Sequence, residues 1–236
     1  MLHKSLCRTY LAFALIALLL PSYARAQWSS SALTGLVVAG KTGEQTQPKI
    51  KPAPDGGCYL SWFDNDPTGS PPGGYDVYLQ RLDPDGNPLW APGGVLIAAR
   101  GFSSTQDYGF DVDAQGNALL AFRDDRSGGT LITATKIDPW GTQVWGSMGV
   151  QFGSPTAFLA APEIAATSDG YVVVAWTQDS DVVVQKIDPL GNPWAAVLLS
   201  EGGAANYSVS GLVGSDNGSI IVSWVREVGF PSPRHL

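Results

Sequence analysis

The sequence predicts an all-β, β-propeller-like array of four-stranded antiparallel blades, three complete and one partial. Three observations carry this reading. A glycine is followed six residues later by an aromatic at four places: Gly56 and Trp62, Gly116 and Phe122, Gly170 and Trp176, Gly218 and Trp224. An Asp-Pro-x-Gly segment follows an apolar run three times, at Asp83 to Gly86, Asp138 to Gly141 and Asp188 to Gly191. Beyond the first 26 residues no window shows the 3.6-residue period of a helix, and 28 Gly and 17 Pro interrupt the chain too often for a long one.

Residues 1–26 read as a secretory signal peptide. Lys4 and Arg8 give a basic start, Leu11 to Leu20 is an unbroken apolar run of ten, and Ala24-Arg25-Ala26 is a small-x-small cleavage site. Ten apolar residues fall short of the ~20 that span a bilayer, so no membrane span is expected after cleavage. The expected location is secreted, cell-surface or periplasmic. Cys58 is then the sole cysteine, which excludes an internal disulfide and leaves stability to packing.

Residues 27–236 form the repeat domain, with an N-terminal strand at 28–40 opened by Trp28 and blades at about 48–107, 108–160, 161–208 and, in part, 209–236. Each blade begins with a lead-in strand: Pro48-Lys49-Ile50, Phe110-Asp111-Val112, Pro162-Glu163-Ile164, Ser210-Gly211-Leu212. The second strand leaves the Gly turn and ends near the aromatic. The third runs into Asp-Pro-x-Gly, where Asp caps the turn, Pro presets φ and Gly takes the positive-φ position. The fourth follows Trp90, Trp145 or Trp194. A lone four-stranded sheet cannot bury both faces, so neighbouring blades stack, with the tryptophans between them. The fourth copy ends without an Asp-Pro-x-Gly strand, which suggests a fragment of a longer propeller; the rival is closure by the N-terminal strand.

Composition excludes several functions. The net charge is −7, and losing residues 1–26 removes three bases and no acid to give −10, which argues against nucleic acid and anionic membrane surfaces. His3 leaves with the signal peptide and His235 sits in a Pro-flanked tail, so Ser-His-Asp, Cys-His and His-based zinc chemistry are improbable. No phosphate-cradling loop is present. Asp supplies 17 of the 21 acids, nearly all in turns, where capping is the ordinary role; paired carboxylates that hydrolyse glycosides remain open because their pairing is spatial. Asp64-Asn65-Asp66-Pro67-Thr68-Gly69 imitates the first half of a calcium loop, which makes Asp64 and Asp66 the metal candidates and calcium the one cofactor considered. Trp140, at the variable turn position, is the ligand-binding candidate, since an exposed Trp can stack on a sugar ring. Arg81, Lys136 and Lys186 recur once per blade and suit edge protection or pairing with a nearby Asp.

Phe122-Arg123-Asp124-Asp125-Arg126-Ser127-Gly128 and Tyr75-Asp76-Val77-Tyr78-Leu79-Gln80-Arg81-Leu82-Asp83 resemble the W-x-D-x-R-x-G and D-I-Y-A-Q-R-I-D segments of a family of bacterial exported β-propeller-like repeat proteins. The Asp-x-x-Gly-x-x-x-Trp segment is also similar to the tryptophan-docking repeat of quinoprotein-type propellers. The resemblance covers about residues 48–226 and implies architecture rather than chemistry, since most members of the family have no assigned activity. Two functional readings follow. The first is a non-catalytic exported propeller with a binding or structural role toward an extracellular protein or polysaccharide, supported by the signal peptide, the repeat and the absence of a unique polar cluster. The alternative is a fragment of a carboxylate-dependent glycoside hydrolase or lyase, in which one copy carries acids that the others lack.

Overall fold

The computed structural model describes residues 33, 35–67, 73–102, 107–229 and 234–235. The signal segment lies outside them, as does most of 28–34; residues 35–40 form no strand. Blade one is β1 (Glu44–Pro52), β2 (Cys58–Asn65), β3 (Asp76–Leu82) and β4 (Val95–Ala98). Blade two is β5 (Gly109–Val112), β6 (Ala118–Asp124), β7 (Leu131–Ile137) and β8 (Val150–Phe152). Blade three is β9 (Leu159–Ala166), β10 (Val172–Gln178), β11 (Asp181–Ile187) and β12 (Val197–Leu199). The partial blade four has β13 (Ala205–Gly214), β14 (Ile220–Val228) and β15 (Arg234–His235). Within each sheet the strands lie antiparallel in sequence order. The first strands pack on one another, β1 on β5, β5 on β9 and β9 on β13, and so form the inner wall.

Local chemistry makes the turns. Asp83 Oδ1 accepts from the N–H of Asp85 at 3.0 Å and of Asn87 at 2.8 Å, while Gly86 sits at φ 85°. Asp138 and Asp188 repeat this cap, with Gly141 at 91° and Gly191 at 92°. The basic residue before each cap pairs with an Asp of its own blade: Arg81 with Asp55 at 2.5 Å, Lys136 with Asp113 at 2.9 Å, Lys186 with Asp169 at 3.1 Å.

The hydrophobic core lies between the blades. Successive side chains of a strand point to opposite faces, so a sheet sandwiched between two others reads as a continuous apolar run. On β6, Leu120 and Phe122 join Tyr59, Phe63 and Leu79 toward blade one, while Leu119 and Ala121 join Val174 and Trp176 toward blade three. Each fully buried Leu or Phe contributes about 1.5–3 kcal/mol of transfer free energy. Cys58 is a buried free thiol on β2, and burial pushes its pKa up.

Tryptophans fasten the blades. Trp90 Nε1 donates to Pro139 O at 3.2 Å in the turn of blade two, and Trp145 Nε1 to Pro189 O at 3.3 Å in that of blade three.

Candidate functional site

The inner wall gathers charge that the turns do not explain. Counting five residues beyond each turn glycine gives Ser61, Ala121, Ala175 and Ser223, whose partners on the first strands are Lys49, Gly109, Glu163 and Gly211. Two residues further along those strands stand Lys51, Asp111, Ala165 and Val213. Glu163 and Asp111 are therefore acids without counterparts in the other copies.

The backbone re-aims these side chains. β1 has a bulge between Thr46 and Lys49 that includes Gln47 at φ 50°, and Ala161, two residues before Glu163, sits at φ 47°. Bulges of this kind turn a side chain out of the regular pleat. Gly109 completes the arrangement, because it has no side chain to hold β5 away from β9. A Cβ placed there would stand 2.9 Å from Glu163 Cα.

The resulting cluster spans three blades. Lys49 Nζ binds Asp107 Oδ1 at 2.6 Å and donates to Tyr108 O at 2.5 Å. The Tyr108 hydroxyl shares its one proton between Gln47 O at 3.0 Å and Ser61 O at 2.9 Å, which fixes the bulge, and burial holds its pKa above the usual tyrosine range. Lys51 Nζ lies 3.6 Å from Asp111 Oδ1, and Asp111 Oδ2 accepts from Ala166 N at 2.9 Å, which ties blade two to blade three. Glu163 is half-buried, and burial pushes its carboxyl above the usual range. Lys49 and Lys51 oppose that shift and the charge of Asp107 adds to it. Asp107 is 64% exposed at its side chain. A carboxyl with a raised pKa thus feels the charge of a solvent-facing carboxylate across the inner wall, and two carboxyls in unlike environments can divide acid and base roles.

The residues expected from the sequence lie elsewhere. Asp64 is fully buried on β2 opposite Asp76; it accepts from Trp62 Nε1 at 3.3 Å, and its Oδ1 has no hydrogen-bond partner. Burial raises the pKa of Asp76, and the Asp64 charge adds to this, while the Arg100 N–H and guanidinium and Lys41 oppose it. Asp66 follows β2 and leads toward residues 68–72, outside the described residues, where the rest of the calcium-like loop falls. Among the described residues no three His, Cys, Asp or Glu side chains gather in a metal-holding arrangement. Trp140 is 82% exposed on its turn, away from the inner strands. No helix among the described residues is long and apolar enough to cross a membrane.

No family model matches the chain, and no curated protein matches it in sequence. Solved structures do match in fold. An α-L-arabinanase of Penicillium chrysogenum complexed with arabinobiose aligns at 14% identity over 81% of this chain and 66% of that one, with a TM-score of 0.51. A protein of unknown function from Dyadobacter fermentans aligns at 11% identity over 85% and 67%, with a TM-score of 0.50. A thermostable family-43 glycoside hydrolase aligns at 15% identity over 82% and 70%, with a TM-score of 0.46. At such identities the likeness is one of fold, and this chain spans about two thirds of the arabinanase.

These findings correct the expectation of a non-catalytic binding propeller. That expectation rested on the signal peptide, the repeat and the absence of a unique polar cluster. The inner wall holds one, in a fold shared with a glycoside hydrolase. The sequence had placed Lys49, Asp111 and Glu163 on lead-in strands and assigned them no chemistry. The signal was there: at equivalent positions the four copies carry Lys49, Gly109, Glu163 and Gly211, and two residues further on Lys51, Asp111, Ala165 and Val213, so each acid stands in one copy alone.

Proposed function

We propose that the chain is part of the propeller of a carboxylate-dependent glycoside hydrolase acting outside the cytoplasm on a polysaccharide. The observation that carries this is Glu163, an acid unique to its copy, half-buried on the inner strand β9 with a raised pKa to which the charge of Asp107, just before β5, contributes. Glu163 delivers a proton to the leaving glycosidic oxygen. Asp107, positioned by Lys49, acts on the opposite side, as base toward water or as nucleophile at the anomeric carbon. Lys51 and Asp111 hold the adjoining inner strands together. The fold likeness to an arabinanase supports arabinan as the first substrate to offer. The signal-like segment at residues 1–26 supports export.

The test is release of reducing ends from arabinan and related polysaccharides by the wild type, Glu163→Gln and Asp107→Asn. Each variant should lose about 10²–10⁴ in turnover while keeping the wild-type circular dichroism spectrum. Turnover that survives both changes would overturn the reading. The anomer first released assigns Asp107 as base or nucleophile.

A further inference from the structure

The two tryptophan joints have the same construction. In each, an indole that follows the third strand of one blade meets the Asp-Pro-x-Gly turn of the next. The N–H donates to the proline carbonyl, and the turn glycine lies against the ring. A Cβ on Gly141 would stand 3.4 Å from Trp90 Cε2, and one on Gly191 2.8 Å from Trp145 Cδ1. Beside these joints Val95 and Val150, on the outer strands β4 and β8, are partly buried.

Trp194 occupies the third such place with different surroundings. It is 53% exposed, and Val197 and Leu198 on β12 are 55% and 58% exposed. Yet the residue is held in position. Its N–H donates to Lys186 O at 2.8 Å, its carbonyl accepts from Gln185 Nε2 at 2.5 Å, and its ring meets Tyr171 edge-on at 5.4 Å. No acceptor for Trp194 Nε1 is found among the described residues. The indole borders a groove of about 480 Å³ whose far wall is Gly218, Ser219 and Ile220. Along that wall runs a sheet edge: β14 pairs with β15 only at Arg226 and Glu227, so among the described residues Ile220 to Val225 pair on one side alone, with β13.

We infer that this groove is a docking site for an extended polypeptide segment ending in an Asp-Pro-x-Gly turn. The segment lies antiparallel along Ile220 to Val225, the direction set by β15, and its proline carbonyl accepts from Trp194 Nε1. Main-chain pairing supplies affinity and the turn supplies specificity. The occupant is a free strand and not a second folded copy, because the described Asp-Pro-x-Gly turns of the folded chain are already engaged. Pro139 O and Pro189 O are taken by Trp90 and Trp145, and Pro84 is engaged as well.

The probe is a synthetic peptide with the sequence of residues 131–145, which comprises β7, its turn and Trp145. Titrated into the full chain, it should shift the Trp194 indole N–H resonance saturably and slow amide exchange from Ile220 to Val225. Trp194→Phe keeps a ring and removes the donor, and should weaken binding about tenfold. A peptide carrying Gly141→Val should fail to bind, since the turn glycine has to lie against the indole. Absence of saturable shifts at millimolar peptide, or equal affinity for Trp194→Phe with an unchanged fold, would overturn the assignment. So would self-association that protects β14 and that the peptide does not compete away.

Discussion

Gly109 of β5 lies against Glu163 of β9 so closely that a Cβ on Gly109 would stand 2.9 Å from Glu163 Cα and 2.6 Å from Ile164 N. Both are backbone atoms, so the two inner strands would have to part. Gly109→Ala should cost about 1–3 kcal/mol of stability. It should also lower kcat by displacing Glu163. Thermal unfolding and turnover on one preparation check both; an unchanged Tm would show that the strands yield freely.

The raised pKa of Glu163 fixes a pH dependence. Burial makes its ionised form less favourable in the folded than in the unfolded state. Stability linked to a raised pKa is full below the unfolded value, about 4.3, and is lost as pH rises through the folded value. Glu163→Gln should therefore raise Tm relative to wild type at pH 7 to 8, and the gain should vanish near pH 4. Activity should decline as pH rises through the folded pKa of Glu163. Paired thermal scans across that range read the first effect, and a pH–rate profile the second.

Equivalent ion pairs differ in burial and should differ in cost. Lys136 and Asp113 have side chains only 10% and 5% exposed, against 27% and 41% for Lys186 and Asp169. Lys136→Met leaves a buried carboxylate without its cation and should cost about 3 kcal/mol. Lys186→Met breaks a solvent-screened pair and should cost less than about 1 kcal/mol. Urea unfolding of the two variants measures the contrast. Equal losses would mean that burial does not govern these pairs.

Gly191 is constrained twice, by φ 92° and by a would-be Cβ only 2.8 Å from Trp145 Cδ1. Gly170 has a similar φ of 83°, but a Cβ there meets nothing within 4 Å. Gly191→Ala should thus lose about 1–3 kcal/mol more than Gly170→Ala, with tryptophan emission shifted to the red as the joint opens. Similar losses would attribute the cost to φ alone.

Most of the blade pattern was legible because its causes are local. Asp83, Asp138 and Asp188 cap their own turns within four residues, and the alternation on β6 buries both faces of one strand. The inner-wall cluster was not legible, for two reasons. Lys51, Asp111 and Glu163 come from the first strands of three blades, so their meeting depends on stacking that no single repeat encodes. The left-handed residues that redirect the chain are Gln47 and Ala161, with none of the Gly or Asn that mark such bends in a sequence. The prevalence of Asp in turns also misled at Asp64, which is buried on a strand and not part of a loop.

The central claim is that Glu163 and Asp107 form a hydrolytic pair. The most direct measurement is reducing-end release from arabinan by wild type, Glu163→Gln, Asp107→Asn and Asp85→Asn, the last in an Asp-Pro-x-Gly turn as control. The account predicts turnover by wild type and the control, and loss by about 10² or more in the two inner-wall variants, all four folded alike. Turnover retained by Glu163→Gln, or none by wild type on any polysaccharide offered, would contradict it.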